Sequence, residues 1–409
     1  MRPLFTGSRW RITAWQARFS CIALLAVCLM IGAFLAPSIA NAQAAPTATH
    51  QIQLAGLTMI DQQHGWAFDE SHTHIYATHQ GPEHWRDVTP SQFKATNMFV
   101  TTSFFPDARH GYIGALQDQT QILLSTQDSG QTWQTTSFTL STPGGPYYFY
   151  QINFLDSQHG WLAFSAQGSH PGSSEIALLR TSNGGKTWET LLNTVDNPAS
   201  LVRPYGQSIH FTFATPQQGW VTGIWLSGEV YLYSTHDGGK TWSKDNIAPI
   251  KGGNSVYFTQ GYGPFWQDKY TGTLFVKYDT SSGNGMSHLT AYQTQDGGKT
   301  WLLGPSSPAT WYTEFTNFSF LNAREGWSFG FDGQGQFVLH HTSTGGRSWD
   351  IIHPSGLLKA DADWQVLGGL TFLTPQTGWV WIKDKQNNWN LFQTNNGGHN
   401  WHALQPVAD

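Results

Sequence analysis

The chain is short of cysteine and short of charge, and each shortage narrows its chemistry. Its two cysteines, Cys21 and Cys28, both fall within the first 42 residues. The chain beyond them can form no disulfide, offer no thiol nucleophile and build no thiolate metal site. Charged residues are only 11% of 409, which argues against disorder and against a polyanion-binding surface. The apolar run Cys21–Ala36 has 16 residues, marginally short for a membrane-spanning helix.

That run sits in a recognisable order. Arg2, Arg9, Arg11 and Arg18 form a basic front without an acid, the apolar run follows, and Pro37 and Ala40-Asn41-Ala42 close the segment. This is the pattern of a secretory signal peptide, residues 1–42, with cleavage expected after Ala42; an uncleaved anchor is the lesser reading. Residues 43–50 read as a linker and 51–409 as the folded part. Without the four leader arginines, 17 basic residues face 26 acidic ones. A mildly acidic exported chain is not expected to bind nucleic acid, nor to insert in a membrane once cleaved.

What the chain has in quantity is aromatics, 14% with 20 Trp, and 43 Gly. They recur in order. Six octads run Thr126–Trp133, Thr181–Trp188, Thr235–Trp242, Thr294–Trp301, Thr342–Trp349 and Thr394–Trp401, and a worn copy, Thr78–Trp85, precedes them. Their tryptophans lie 48, 55, 54, 59, 48 and 52 residues apart. Turn chemistry at a period of about 50 residues fits one four-stranded blade per repeat. The chain is therefore expected to be all-β, a seven-bladed β-propeller of four-stranded antiparallel blades.

A second motif lies upstream of each octad. A cap residue (Asp61, Asp107, Asp156, Thr215, Asp268, Asn322, Thr374) precedes a Gly and usually an aromatic, as in Gly160-Trp161. A large apolar residue stands two positions before the cap: Met59, Phe105, Phe154, Phe213, Trp266, Phe320 and Phe372. Asp, Asn and Thr caps fold onto nearby N–H groups, and the Gly is expected to take a positive φ. The first strand ends at this turn and the third enters the octad, so both turns gather on one end of every blade. The irregular connections gather on the other end, where binding is expected.

The octad pattern Thr-x-Asp-x-Gly-x-Thr-Trp resembles the Asp-box, or BNR repeat. That repeat occurs in sialidases, sortilin-type receptors, xyloglucan-cleaving glycosidases and the photosystem II assembly and stability factor family. Paired with the upstream turn across Met59–His402, it is most similar to the last, whose members are seven-bladed exported propellers. The resemblance implies a binding scaffold and names no partner. The third octad position is Asp128, Asn183, Asp237, Asp296, Thr344 and Asn396, with Gln80 in the worn copy. A general acid or calcium ligand would not tolerate Thr and Asn there, whereas a turn cap would.

The sialidase reading fails on arginine. Of Arg86, Arg109, Arg180, Arg203, Arg324 and Arg347, only Arg203 falls in an irregular loop. A glycoside hydrolase needs two carboxylates across a cleft, and Glu175, Glu229, Asp279, Glu314, Asp332, Asp361, Asp363 and Asp384 are the acids near those loops. Aromatics are the stronger candidates for binding: Tyr147, Tyr148, Tyr150, Trp225, Trp311, Tyr312 and Trp364, with Trp389 beside them. Flat rings with polar tips suit sugars or peptide anchors. His72 and His74 would share one face of a strand and could support a metal, but no third ligand recurs, so neither metal nor cofactor is expected. The partner is expected to be a protein or a glycan, with a loop-borne glycosidase as the alternative.

Overall fold

Each repeat folds into four consecutive antiparallel strands, in a computed structural model that describes residues 50–94, 98–142, 145–167, 174–197, 205–226, 228–250, 256–280, 286–304, 311–312, 318–331, 337–357 and 364–409. Blade 1 comprises Leu54–Met59, Gly65–Asp69, Ile75–Thr78 and His84–Asp87. Blade 2 comprises Met98–Phe104, Gly111–Gln117, Thr120–Thr126 and Gln134–Phe138, and blade 3 Tyr148–Phe154, Gly160–Gln167, Ser174–Thr181 and Glu189–Asn193. Blade 4 is Tyr205–Phe213, Gly219–Trp225, Leu232–Thr235 and Ser243–Lys244; blade 5 is Val256–Trp266, Gly272–Thr280, Met286–Thr294 and Leu302–Leu303. Blade 6 is Phe318–Phe320, Gly326–Phe331, Phe337–Thr342 and Asp350–Ile352; blade 7 is Trp364–Phe372, Gly378–Asp384, Trp389–Thr394 and His402–Ala403. Residues 1–49, where the sequence suggests a leader and linker, lie outside the described residues.

The turns are built as local chemistry requires. Asp61 Oδ1 accepts from the backbone N–H groups of Gln63 and His64 at 2.7 and 2.8 Å, and Asp107, Asp156, Asp268 and Asn322 repeat the pattern. In three blades a histidine ring also reaches its cap: His64, His110 and His159 Nδ1 lie 2.8–2.9 Å from the Asp carboxylate. In the octads, Thr132 N–H and Oγ1 donate to Asp128 at 2.9 and 2.6 Å, while Gly130 N–H donates to Thr126 Oγ1 at 3.0 Å. Asn183 and Asn396 accept the same backbone bond at 3.0 and 2.9 Å, and Thr344 Oγ1 accepts it from Ser348. Each octad is then sewn to the first turn of its own blade, as by Gly184 N–H to Gln158 O at 2.9 Å and Gly397 N–H to Gln376 O at 2.9 Å. Both regular turns of a blade therefore lie together at one end.

The upstream glycine departs from expectation. Left-handed backbone belongs to octad glycines such as Gly184 (φ 72°) and Gly185 (φ 86°), not to Gly65, Gly111, Gly160, Gly219, Gly272, Gly326 or Gly378. Those seven are glycines because the apolar residue before the cap lies flat against them. A Cβ on Gly160 would stand 2.5 Å from Phe154 Cε1, and one on Gly378 2.7 Å from Phe372 Cδ1.

The same apolar side chains join one blade to the next. Trp161 of blade 3 stacks on Phe213 of blade 4 at 3.8 Å and 7°, and Trp327 on Phe372 at 4.0 Å and 9°. Tyr112 stacks on Phe154 and Trp66 on Phe105, the Trp66 indole also donating to Asp107 O at 3.1 Å. Such a stack contributes about 0.5–1.5 kcal/mol beyond the apolar area it buries. Seven hydrophobic clusters link blades 1–2, 2–3, 3–4, 4–5, 5–6, 6–7 and, through Trp379 and Leu391 with Leu57 and Met59, 7–1. The ring is closed.

Closure uses both ends of the described chain. His402–Ala403 completes blade 7, and Val407–Ala408 then pairs in parallel with the outer strand of blade 1, Val407 opposite His84. His50–Gln51 pairs antiparallel on the far side of Val407–Ala408. Blades 4 and 5 also share backbone pairing, Ile224 with Gln260 and Trp225 with Thr259.

Candidate functional site at the irregular end

The end opposite the regular turns holds the starts of the inner strands and the ends of the second strands. Three large apolar side chains stand exposed there on adjacent blades: Phe99 (68%), Tyr148 (40%) and Leu226 (50%). Tyr148 was expected as a binding residue; Phe99 and Leu226 have no motif to single them out.

The remaining aromatic candidates divide. Tyr147 is wholly buried, and its hydroxyl donates to Asn193 Oδ1 at 3.1 Å. It is a core residue of the blade 2–3 cluster rather than a ligand contact. The loop that carries it is held from below by Gln121, itself buried, which donates to Leu140 O and Tyr147 O at 3.0 and 2.9 Å. Tyr150 and Trp225 are half-buried against the blade 3–4 cluster, with Tyr150 6.1 Å from the His210 ring and Trp225 5.8 Å from Tyr231. Trp311–Tyr312 forms a short strand paired with Met286 and Ser287, and Trp364 pairs with Asp384 at the start of blade 7. The side chains of these three lie outside the described ones.

A second feature is a slot of about 250 Å³ between the inner strands of blades 1 and 2. Gly56, Thr58, Phe68, His72, Thr102 and Trp381 are among its walls. His72 does not share a strand face with His74, as the spacing predicts. It sits in the connection before Ile75 with φ 54°, its ring 5.5 Å from Phe68. His74 Nδ1 instead bonds Asp69 Oδ2 at 3.0 Å. Burial pushes the Asp69 carboxyl up, but the His74 N–H and ring, with Ser71 and Thr73, outweigh it and hold it below its usual value. Beside the slot, Lys383 pairs with Glu70 and lies 5.5 Å over the Trp389 ring. Among the described residues no group of three His, Asp or Glu side chains is placed to hold a metal.

The described carboxylates are engaged. Glu175 is buried and accepts from Thr194 Oγ1 at 2.7 Å, Glu229 pairs with Lys244 at 2.8 Å, and Asp384 accepts from Asn388 N–H at 2.8 Å. Asp279 lies in the second strand of blade 5. Glu314, Asp332, Asp361, Asp363 and Arg203 lie outside the described residues.

Residues 41–195, which take in blades 1 to 3, match the family model described as Photosynthesis system II assembly factor YCF48. Over these residues the chain is similar to that family, and the octad geometry and closed ring make the fold a β-propeller of BNR-like repeats. The propeller is similar to the solved structure of YCF48 bound to D1 peptide, at 17% identity and a TM-score of 0.46, covering 75% of this chain and 82% of that one. It is also similar to the GH74 xyloglucanase from Xanthomonas campestris, at 12% identity and a TM-score of 0.55, and to the GH74 enzyme of Niastella koreensis, at 15% and 0.51. It covers 88% and 86% of its own length in these two matches but only 56% and 54% of the enzymes'. At these identities the likeness is one of fold. No curated protein sequence matches the propeller.

Proposed function

We propose that this BNR propeller is exported and acts as a non-catalytic scaffold that holds a protein partner on its irregular end, with a glycan as the second ligand class. The observation that carries the reading is the row of exposed Phe99, Tyr148 and Leu226 on blades 2, 3 and 4. Exposed aromatic and aliphatic side chains at one end of a rigid scaffold mark an interaction surface. The match of blades 1 to 3 to an assembly-factor family supports the same class of role.

The test is a photo-crosslinking residue placed at Phe99 or Leu226, with one at Ile351 on an outer strand as control, in cells that produce the protein. A discrete protein adduct from the first two positions and none from the third supports the scaffold. Equal adducts from all three, or none, reject it. The glycosidase alternative rests on Glu314, Asp332, Asp361 and Asp363. Release of reducing ends from xyloglucan, lost in Glu314→Gln or Asp361→Asn, would replace the scaffold reading with an enzymatic one.

A further inference from the structure

Six of the seven blades carry an aromatic directly after the upstream glycine; blade 5 carries Thr273. The Thr273 hydroxyl donates to Ala323 O of blade 6 at 2.7 Å, a bond across the join like that of the Trp66 indole to Asp107 O. Stacking passes two residues along, to Phe275 on Phe320 at 4.0 Å and 14°. A threonine fills far less space than an indole. The join consequently opens, at the regular-turn end, into a slot of about 310 Å³.

Two arginines line this slot: Arg324 from the first turn of blade 6 and Arg347 from its octad. Among the described residues that line it, none is a carboxylate. Among the described residues, neither arginine has an ion-pair partner. Arg347 is held in place, with Nε and Nη2 donating to Gln293 Oε1 at 2.9 and 2.6 Å. Gln293 stands directly opposite Thr273 in the strand pairing, and its amide reaches Thr344 O and Gly345 O at 3.4 and 3.3 Å. An oriented guanidinium with donors left over suits a carboxylate. Among the described lining residues Ala323 is the only one with an apolar side chain, and amides and hydroxyls make up most of the rest.

We infer that this slot binds a hydroxylated carboxylate of the uronic-acid class, the arginines taking the carboxylate and the amide and hydroxyl side chains the ring hydroxyls. The site is at the opposite end from the scaffold surface, so each stands or falls alone.

The experiment is calorimetric titration of the leaderless protein with glucuronate, galacturonate and galacturonate oligomers, against glucose, galactose and acetate. Arg347→Ala and Arg324→Ala should each weaken uronate binding roughly tenfold or more, the loss expected for a hydrogen bond to a charged group. Thr273→Trp fills the slot with the side chain used in five of the other blades and should abolish binding while the melting temperature holds or rises. Binding of monomers, or of oligomers alone, supports the site and tells a free sugar acid from a polysaccharide. Four results overturn it: no uronate binding at millimolar concentration, acetate binding as tightly as uronate, binding that survives Thr273→Trp in the folded protein, or a peptide with a free C-terminal carboxylate outcompeting uronates.

Discussion

Gly160 shows how a single position can be set by a neighbour outside its own turn. The Phe154 ring occupies the space a Cβ would need, so Gly160→Ala is expected to destabilise the protein by about 1–3 kcal/mol, as overpacking does. Chemical denaturation would measure it. Asp245 is a second residue under constraint. Ser234 Oγ donates to its Oδ1 at 2.5 Å, its Oδ2 is buried without a partner, and burial pushes its carboxyl up to about 6. A folded-state value above the ordinary 3.8 means that stability falls as pH rises from about 4 through 6. Asp245→Asn should therefore raise the melting temperature at pH 7, with the advantage over the parent vanishing near pH 4. Thermal melts across that range decide it.

Among the elements, the octads differ in charge while sharing a geometry. Hydrogen bonds from the Thr300 hydroxyl and N–H lower the Asp296 carboxyl to about 2 against the cost of desolvation, and Asp237 reaches about 2 as well. A lowered value gives stability that is complete above about 4 and lost as pH falls toward 2. The Asn183 and Asn396 octads make the same backbone bond without a titrating group. Asp296→Asn should thus leave stability at pH 7 nearly unchanged and reduce the loss between pH 4 and 2, whereas Asp296→Ala should lower it at every pH. These turns are legible in the sequence because the bonds from the third octad position stay within the octad. The upstream glycines are legible as positions but not in their cause, since the large side chain lying against each comes from the facing strand. Tyr147 misleads for another reason. A register shift between Phe149 and Gln151 reverses the inward and outward alternation, so that Phe149 and Tyr147 turn into the core with Ile152 and Phe154. No local signal marks that bulge. The slot at Thr273 is visible in sequence as one missing aromatic, but the meeting of Arg324, Arg347 and Gln293 there needs the fold.

At the scale of the whole molecule, the ring is held by seven similar joins and one dissimilar seam. Blade count and order follow from the repeats alone. The seam does not, because Val407–Ala408 carries no motif and pairs with a strand more than 300 residues away. Val407 N–H donates to Glu83 O at 2.8 Å, Asp409 N–H to Trp85 O at 3.2 Å and Ile52 N–H to Pro406 O at 3.0 Å. Removing residues 405–409 strips these bonds and bares the outer edge of blade 1. The truncated protein is expected to melt at lower temperature and to self-associate, seen by calorimetry and light scattering.

Because Ala408 lies opposite His50, the backbone of the folded toroid comes back to its own starting point. Bridging the two ends with a short peptide and cutting between blades 3 and 4 would thread the same repeats in a rotated order. Every stack between neighbours would survive the rearrangement, with blade 4 as the new beginning.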